Sequence, residues 1–95
     1  MNKYEAMFIV KPELNAEEKK TLFGQIADII VKNNGKVSDA NIWLEKRKLC
    51  FRIRKHNEGT YYLVNFNLEA PAITKIKYAF KLNENILRVM ILRVG

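Results

Sequence analysis

The chain has 95 residues, 48% apolar and 28% charged, which excludes a disordered polymer and leaves room for one domain, residues 1–95, with one modest core. Seventeen basic residues face ten acidic ones, giving a net charge of +7. Six of the basic residues (Lys46, Arg47, Lys48, Arg52, Arg54 and Lys55) fall within residues 46 to 57, where no acid occurs, so the excess is a local patch suited to a polyanion: nucleic acid first, an anionic membrane second.

The run Tyr4 to Val10 is aromatic and β-branched and ends at Lys11-Pro12-Glu13, which predicts a central strand. Asn15 to Asn34 follows as a helix. Asn15 caps it, Glu18 completes a capping box, and Leu22, Phe23, Ile26, Ala27, Ile29 and Ile30 form one apolar stripe. Gly35 stands where a left-handed C-terminal residue belongs.

Lys36 to Lys55 is the second strand region. From Leu49 its residues alternate, with Leu49, Phe51 and Ile53 assigned to the core and Cys50, Arg52 and Arg54 to the opposite face. His56-Asn57-Glu58-Gly59 reads as a hairpin loop of about four residues. Thr60 to Leu68 returns as strand three, with Tyr62, Val64, Phe66 and Leu68 facing the core and Tyr61, Leu63, Asn65 and Asn67 facing away. Pro71 to Leu82 is a second helix, whose apolar side is Ala72, Ile73, Ile76, Ala79 and Phe80. Ile86 to Val94 is the last strand.

The order β-α-β-β-α-β, with one apolar stripe on each helix, predicts a ferredoxin-like α+β fold. A four-stranded antiparallel sheet carries both helices on one face. The other face stays open, with Arg52, Arg54, Tyr61, Leu63 and Asn65 among its expected occupants, and forms a candidate contact surface.

These residues resemble a family, that of the sixth protein of the bacterial small ribosomal subunit. Tyr4-Glu5 with the later Pro12, and Asn34-Gly35-Lys36-Val37, match its early pattern. The most specific stretch, Trp43 to Phe66, supplies Arg47, Leu49, Phe51, Ile53, Lys55, Gly59, Tyr61 and Tyr62 in order, and Asn83 to Arg93 matches the last loop and strand. Leu44 stands where glycine is usual, and Cys50, Phe51 and Arg52 replace a common alanine, tyrosine and proline. The resemblance implies no catalysis and no cofactor. It implies binding to the central domain of small-subunit (16S) ribosomal RNA, with the eighteenth small-subunit protein as partner. By family position the RNA-binding residues are Arg47, Lys48, Lys55 and Arg88, together with Lys46 of the patch and then Lys3, Lys81 and Arg93. Such cations release counterions from phosphates, and arginine adds a planar fork. The alternative for each is a solvated surface charge.

Tyr61, Leu63, Trp43 and Arg52 are candidates for a partner-protein interface; for Trp43 ordinary packing is the competing role. Strand three lacks the glycines and the basic start of the RRM signature, although Tyr61 could stack on a base. An RNA-binding module outside the ribosome and a ligand-sensing regulatory domain share the topology and remain alternatives, since fold alone does not choose function. An acyl-phosphate or phosphate-ester hydrolase on this fold would need an anion-binding loop, and the glycines at 24, 35, 59 and 95 are scattered.

The lone histidine, His56, reads as an exposed turn residue. Cys50 reads as a small buried or interface residue rather than a nucleophile. No metal-ligand spacing occurs. A single cysteine excludes an internal disulfide, the run Ala6 to Val10 is too short for a signal peptide, and no stretch reaches the roughly 20 apolar residues of a membrane span. The expected location is the cytoplasm, within the small ribosomal subunit.

Overall fold

A computed structural model describes residues 1–94, apart from the side chain of Cys50, so the expectation for that side chain lies outside the described residues. The elements are β1 (Asn2–Val10), α1 (Ala16–Lys32), β2 (Lys36–Ile53), β3 (His56–Leu68), a 3-10 turn at Ala70–Ala72, α2 (Ile73–Lys81) and β4 (Ile86–Arg93). The four strands form one antiparallel sheet in the order β2-β3-β1-β4, the ferredoxin-like arrangement expected. Pro71 lies in the 3-10 turn that leads into α2 rather than in the helix itself.

Alternation along the two central strands explains the core. Tyr4, Ala6, Phe8 and Val10 of β1 lie beside Tyr62, Val64, Phe66 and Leu68 of β3, and all eight are buried. Against them pack Leu22, Ile26 and Ile30 of α1 and Ile76 and Phe80 of α2. Phe23 of α1 stacks on Tyr62 at 3.6 Å between ring centroids, and Phe8 meets Phe80 edge-on at 4.9 Å. Burial pushes the Tyr62 phenol above its ordinary pKa.

The ends of α1 are closed by side-chain and backbone caps. Asn15 Oδ1 accepts from the Glu18 amide at 2.8 Å, and Glu18 Oε1 accepts from the Asn15 amide at 3.0 Å. At the other end the left-handed residue is Asn34 (φ 67°), not Gly35. The amides of Asn34 and Gly35 donate to the carbonyls of Val31 and Ile30, which completes a Schellman motif. Gly35 is required for space instead. A β-carbon there would lie 2.7 Å from Ile30 Cγ2, 2.8 Å from Leu68 Cδ1 and 2.9 Å from the Ile30 carbonyl oxygen.

The hairpin between β2 and β3 departs from the expected form in two ways. First, its loop is a two-residue turn at Arg54-Lys55, with φ of 48° and 69°, and Ile53 pairs directly with His56. A type I′ turn needs left-handed backbone at both central residues, a need usually advertised by Asn-Gly; Arg-Lys carries no such signal. The segment His56 to Gly59 therefore belongs to β3. Gly59 admits Ile9, whose Cγ2 would lie 2.5 Å from a β-carbon at that position.

Second, the alternation from Leu49 is broken. Lys48 pairs with Glu58 and Ile53 with His56, so β2 advances five residues while β3 advances two. The three surplus residues form a special, multi-residue bulge. Leu49 folds into a small cluster with Ile9 and Leu87, against which Ile53 and Tyr61 pack. Ile9 lies on the open face, opposite Tyr61, so this cluster covers that face and is not part of the main core. Phe51 is left 77% exposed. A smaller bulge precedes it: Leu44 pairs with Tyr61 and Arg47 with Gly59, and the extra residue is taken up near Lys46 (φ 46°). The Lys46 amide donates to Thr60 Oγ1 at 3.3 Å, which gives the buried threonine its partner.

Candidate nucleic-acid interface

Lys46, Arg47 and Lys48 lie on the bulged edge strand β2, and all three are exposed. The preceding acid, Glu45, is engaged elsewhere: Lys19 of α1 donates to its Oε1 at 3.0 Å. Glu58 stands opposite Lys48 across the hairpin but forms no ion pair with it among the described residues. The triplet is therefore exposed and engaged in no ion pair among the described residues.

Lys55 is exposed at the tip of the hairpin, and the tip is tied down by its neighbours. Arg52 Nη2 donates to the Lys55 carbonyl at 3.4 Å, and Arg54 Nη1 donates to the Ile86 carbonyl at the start of β4 at 3.3 Å. His56 is only 24% exposed, not the free turn residue expected. The short turn accounts for this. It brings Nδ1 to 3.0 Å from the Arg54 carbonyl and Nε2 to 3.1 Å from Glu13 Oε1 on the β1–α1 loop. The hydrogen bond from His56 holds the Glu13 carboxyl below its ordinary pKa.

A carboxyl with a depressed folded-state pKa stabilises the fold above its unfolded pKa, and that contribution disappears as pH falls through the folded value. Glu13→Gln is therefore expected to lower the thermal midpoint slightly at neutral pH, by about one or two degrees because the pair is solvent-screened. The two proteins should melt together near about pH 2. Thermal denaturation over a pH series checks this, and a gap that persists unchanged at about pH 2 would contradict the pairing.

Arg88 and Lys81 come together, and two residues absent from the expected set join them. Arg54, Lys77, Lys81 and Arg88 line one groove of about 540 Å³ along β4 and α2. Sequence spacing gives no signal for it, because its cations come from the hairpin tip, the helix and the last strand. Lys3 and Arg93 lie at the other end of the sheet: Lys3 pairs with Asn67, and Arg93 is opposite Tyr4 and donates to Asn2 Oδ1 at 3.2 Å. The structure does not bring them to Arg47 or Arg88.

The open face has an apolar centre. Met7, Trp43, Leu63, Met90 and Leu92, with Glu5 at its margin, line a shallow cavity of about 440 Å³. Trp43 is 55% exposed and meets Tyr61 edge-on at 6.0 Å. Arg52 is exposed, and its guanidinium is turned to the hairpin tip. Among the described residues no group of three or more His, Cys, Asp and Glu side chains could hold a metal ion, and no helix is long and apolar enough to cross a membrane.

The family model described as ribosomal protein S6 matches residues 3–93. The chain belongs to the ribosomal protein S6 family. The small ribosomal subunit protein bS6 of Thermoanaerobacter pseudethanolicus is 36% identical over 93 residues, covering 98% of this chain and 97% of that one. The bS6 protein of Clostridium acetobutylicum is 37% identical over 92 residues, covering 97% and 96%. Among solved structures, the 30S ribosomal protein S6 of Thermotoga maritima superposes with a TM-score of 0.88 at 26% identity, over 98% of this chain and 87% of that one. The S6 family match spans both helices and all four strands but for the first residue of β1. Within it, the bulge between Leu44 and Arg47 uses a left-handed lysine, Lys46.

Proposed function

We propose that this S6-family chain is a structural, non-catalytic constituent of the bacterial small ribosomal subunit, acting in the cytoplasm. It binds the central domain of 16S ribosomal RNA together with the eighteenth small-subunit protein. The observation that carries the RNA reading is the exposed triplet Lys46-Arg47-Lys48, which forms no ion pair among the described residues and whose only adjacent acid in sequence, Glu45, is already paired with Lys19. Exposed cations on this edge strand can reach phosphate oxygens, and each contact releases counterions. Lys55 and Arg88 extend the basic surface, and Lys3, Lys81 and Arg93 are outlying members. The apolar centre around Trp43, Leu63 and Tyr61 suits a protein partner, since the middle of a protein–protein interface is depleted in charge.

The test is binding of a central-domain 16S fragment over a salt series. Arg47→Ala with Lys48→Ala is expected to lower the slope of log affinity against log salt by about 1.4–1.8, at roughly 0.7–0.9 per phosphate contact. Unchanged affinity and slope would remove the triplet from the interface.

A further inference from the structure

We infer that the groove lined by Arg54, Lys77, Lys81 and Arg88 is a second RNA-backbone site, holding a stretch of phosphodiester distinct from the one at Lys46-Arg47-Lys48. The inference rests on the RNA-binding reading and extends it from Lys81 and Arg88, which are in the family-matched set, to Arg54 and Lys77, which are not. Four cations from three elements converge on this groove, and among the described residues no carboxylate lines it. None of the four forms an ion pair among the described residues. So much like charge in one cleft is self-repelling, and a bound polyanion relieves it.

The geometry favours a phosphate chain. Lys77 and Lys81 are one helical turn apart, which puts such side chains about 6 Å from each other, comparable with the step between neighbouring phosphates of one strand. Arg54 uses one guanidinium N–H on the Ile86 carbonyl, which fixes the side chain over the groove and leaves other donors for a phosphate oxygen. The strand β4 pairs only with β1, so its outer edge carries unpaired amide groups that can also donate to an anion. The opposite edge of the sheet is β2, which carries the Lys46 to Lys48 triplet. A single domain would then grip RNA at both edges, with the apolar face between them left for a protein. The competing occupant is an acidic peptide added as a strand to β4. Its carboxylates would meet the same four cations, so the two occupants are told apart by the probe that loses affinity.

The experiment compares the full chain with Arg54→Gln/Lys77→Gln, using the same 16S central-domain fragment and a poly-glutamate peptide as probes. Arg54 and Lys77 are both exposed, and Lys77 makes no described hydrogen bond, so neither substitution disturbs the core. The double variant is expected to bind RNA at least about tenfold more weakly at physiological salt, with the salt slope reduced by about 1.4–1.8. Lys77→Gln alone should account for about half of that reduction. Wild-type affinity and slope in the double variant, while Arg47→Ala/Lys48→Ala still weakens binding, would overturn the groove and leave the RNA-binding function standing. Loss of poly-glutamate binding with RNA binding intact would overturn it in favour of a peptide. No RNA binding by the unaltered chain with the eighteenth small-subunit protein present, the condition used for every variant, would overturn the function and the groove together.

Discussion

Phe80→Ala is expected to lower the free energy of unfolding by about 3–5 kcal/mol. Phe80 is fully buried, and its ring meets Phe8 of the central strand edge-on at 4.9 Å, with the planes at 85°. The nine-residue α2 has only one other fully buried side chain, Ile76, so Phe80 is half of what anchors the helix to the sheet. Truncation removes the ring's transfer free energy and leaves a cavity between rigid neighbours, with little scope for collapse. A domain of this size has a total stability of roughly 5–15 kcal/mol, so the loss is a large share of it. At about 4–8 °C per kcal/mol, the melting temperature should fall by at least about 12 °C. Thermal and denaturant unfolding measure it directly, with Phe80→Leu as a milder control. A loss below about 1 kcal/mol would mean that α2 is held by something other than this contact. The helix also carries Lys77 and Lys81, so the same variant should weaken RNA binding more steeply with temperature than wild type does.

How far the fold was legible from sequence varies by element, for physical reasons. Strands β1 and β3 are central, so each residue's face is dictated by burial, and the alternation of Tyr62, Val64, Phe66 and Leu68 is readable without a structure. The N-terminus of α1 is readable because Asn15 and Glu18 satisfy each other's amides locally. Edge strand β2 is different. Only one neighbour constrains it, and bulges at Lys46 and between Lys48 and Ile53 shift the register without leaving a compositional mark. Residues Leu49 to Ile53 therefore looked like a core strand, whereas Leu49 caps the open face and Phe51 points to solvent. The turn was misplaced for a related reason: Asn57 to Gly59 carries loop-forming residues, but Gly59 serves packing against Ile9, and the strained positions fall on Arg54 and Lys55. Among the basic residues, the run at Lys46 to Lys48 is visible because it is contiguous. The groove is not, because Arg54, Lys77 and Arg88 meet only in three dimensions.

Trp43→Ala is expected to cost at least about 2 kcal/mol, or roughly 30-fold, in association with the eighteenth small-subunit protein, while barely changing the stability of the isolated domain. The two roles weighed for Trp43, packing and interface, predict opposite outcomes. As a packing residue it would be buried, and its removal would open a cavity. In the structure more than half of its surface is accessible, and its one aromatic contact is the edge-on approach to Tyr61, an arrangement worth about 0.5–1.5 kcal/mol. As an interface residue it is well placed. It borders Met7, Leu63, Met90 and Leu92 at the apolar centre of the open face. Large aromatic side chains at such centres bring much apolar area with few rotatable bonds, so they dominate binding energy when a partner excludes water from them. Titration of the partner against wild type and variant, each bound to the RNA fragment, separates the cases. A drop in partner affinity with an unchanged melting temperature assigns Trp43 to the interface. Unchanged affinity with a loss of more than about 2 kcal/mol in stability assigns it to packing, and the docking surface would then have to lie elsewhere on the sheet.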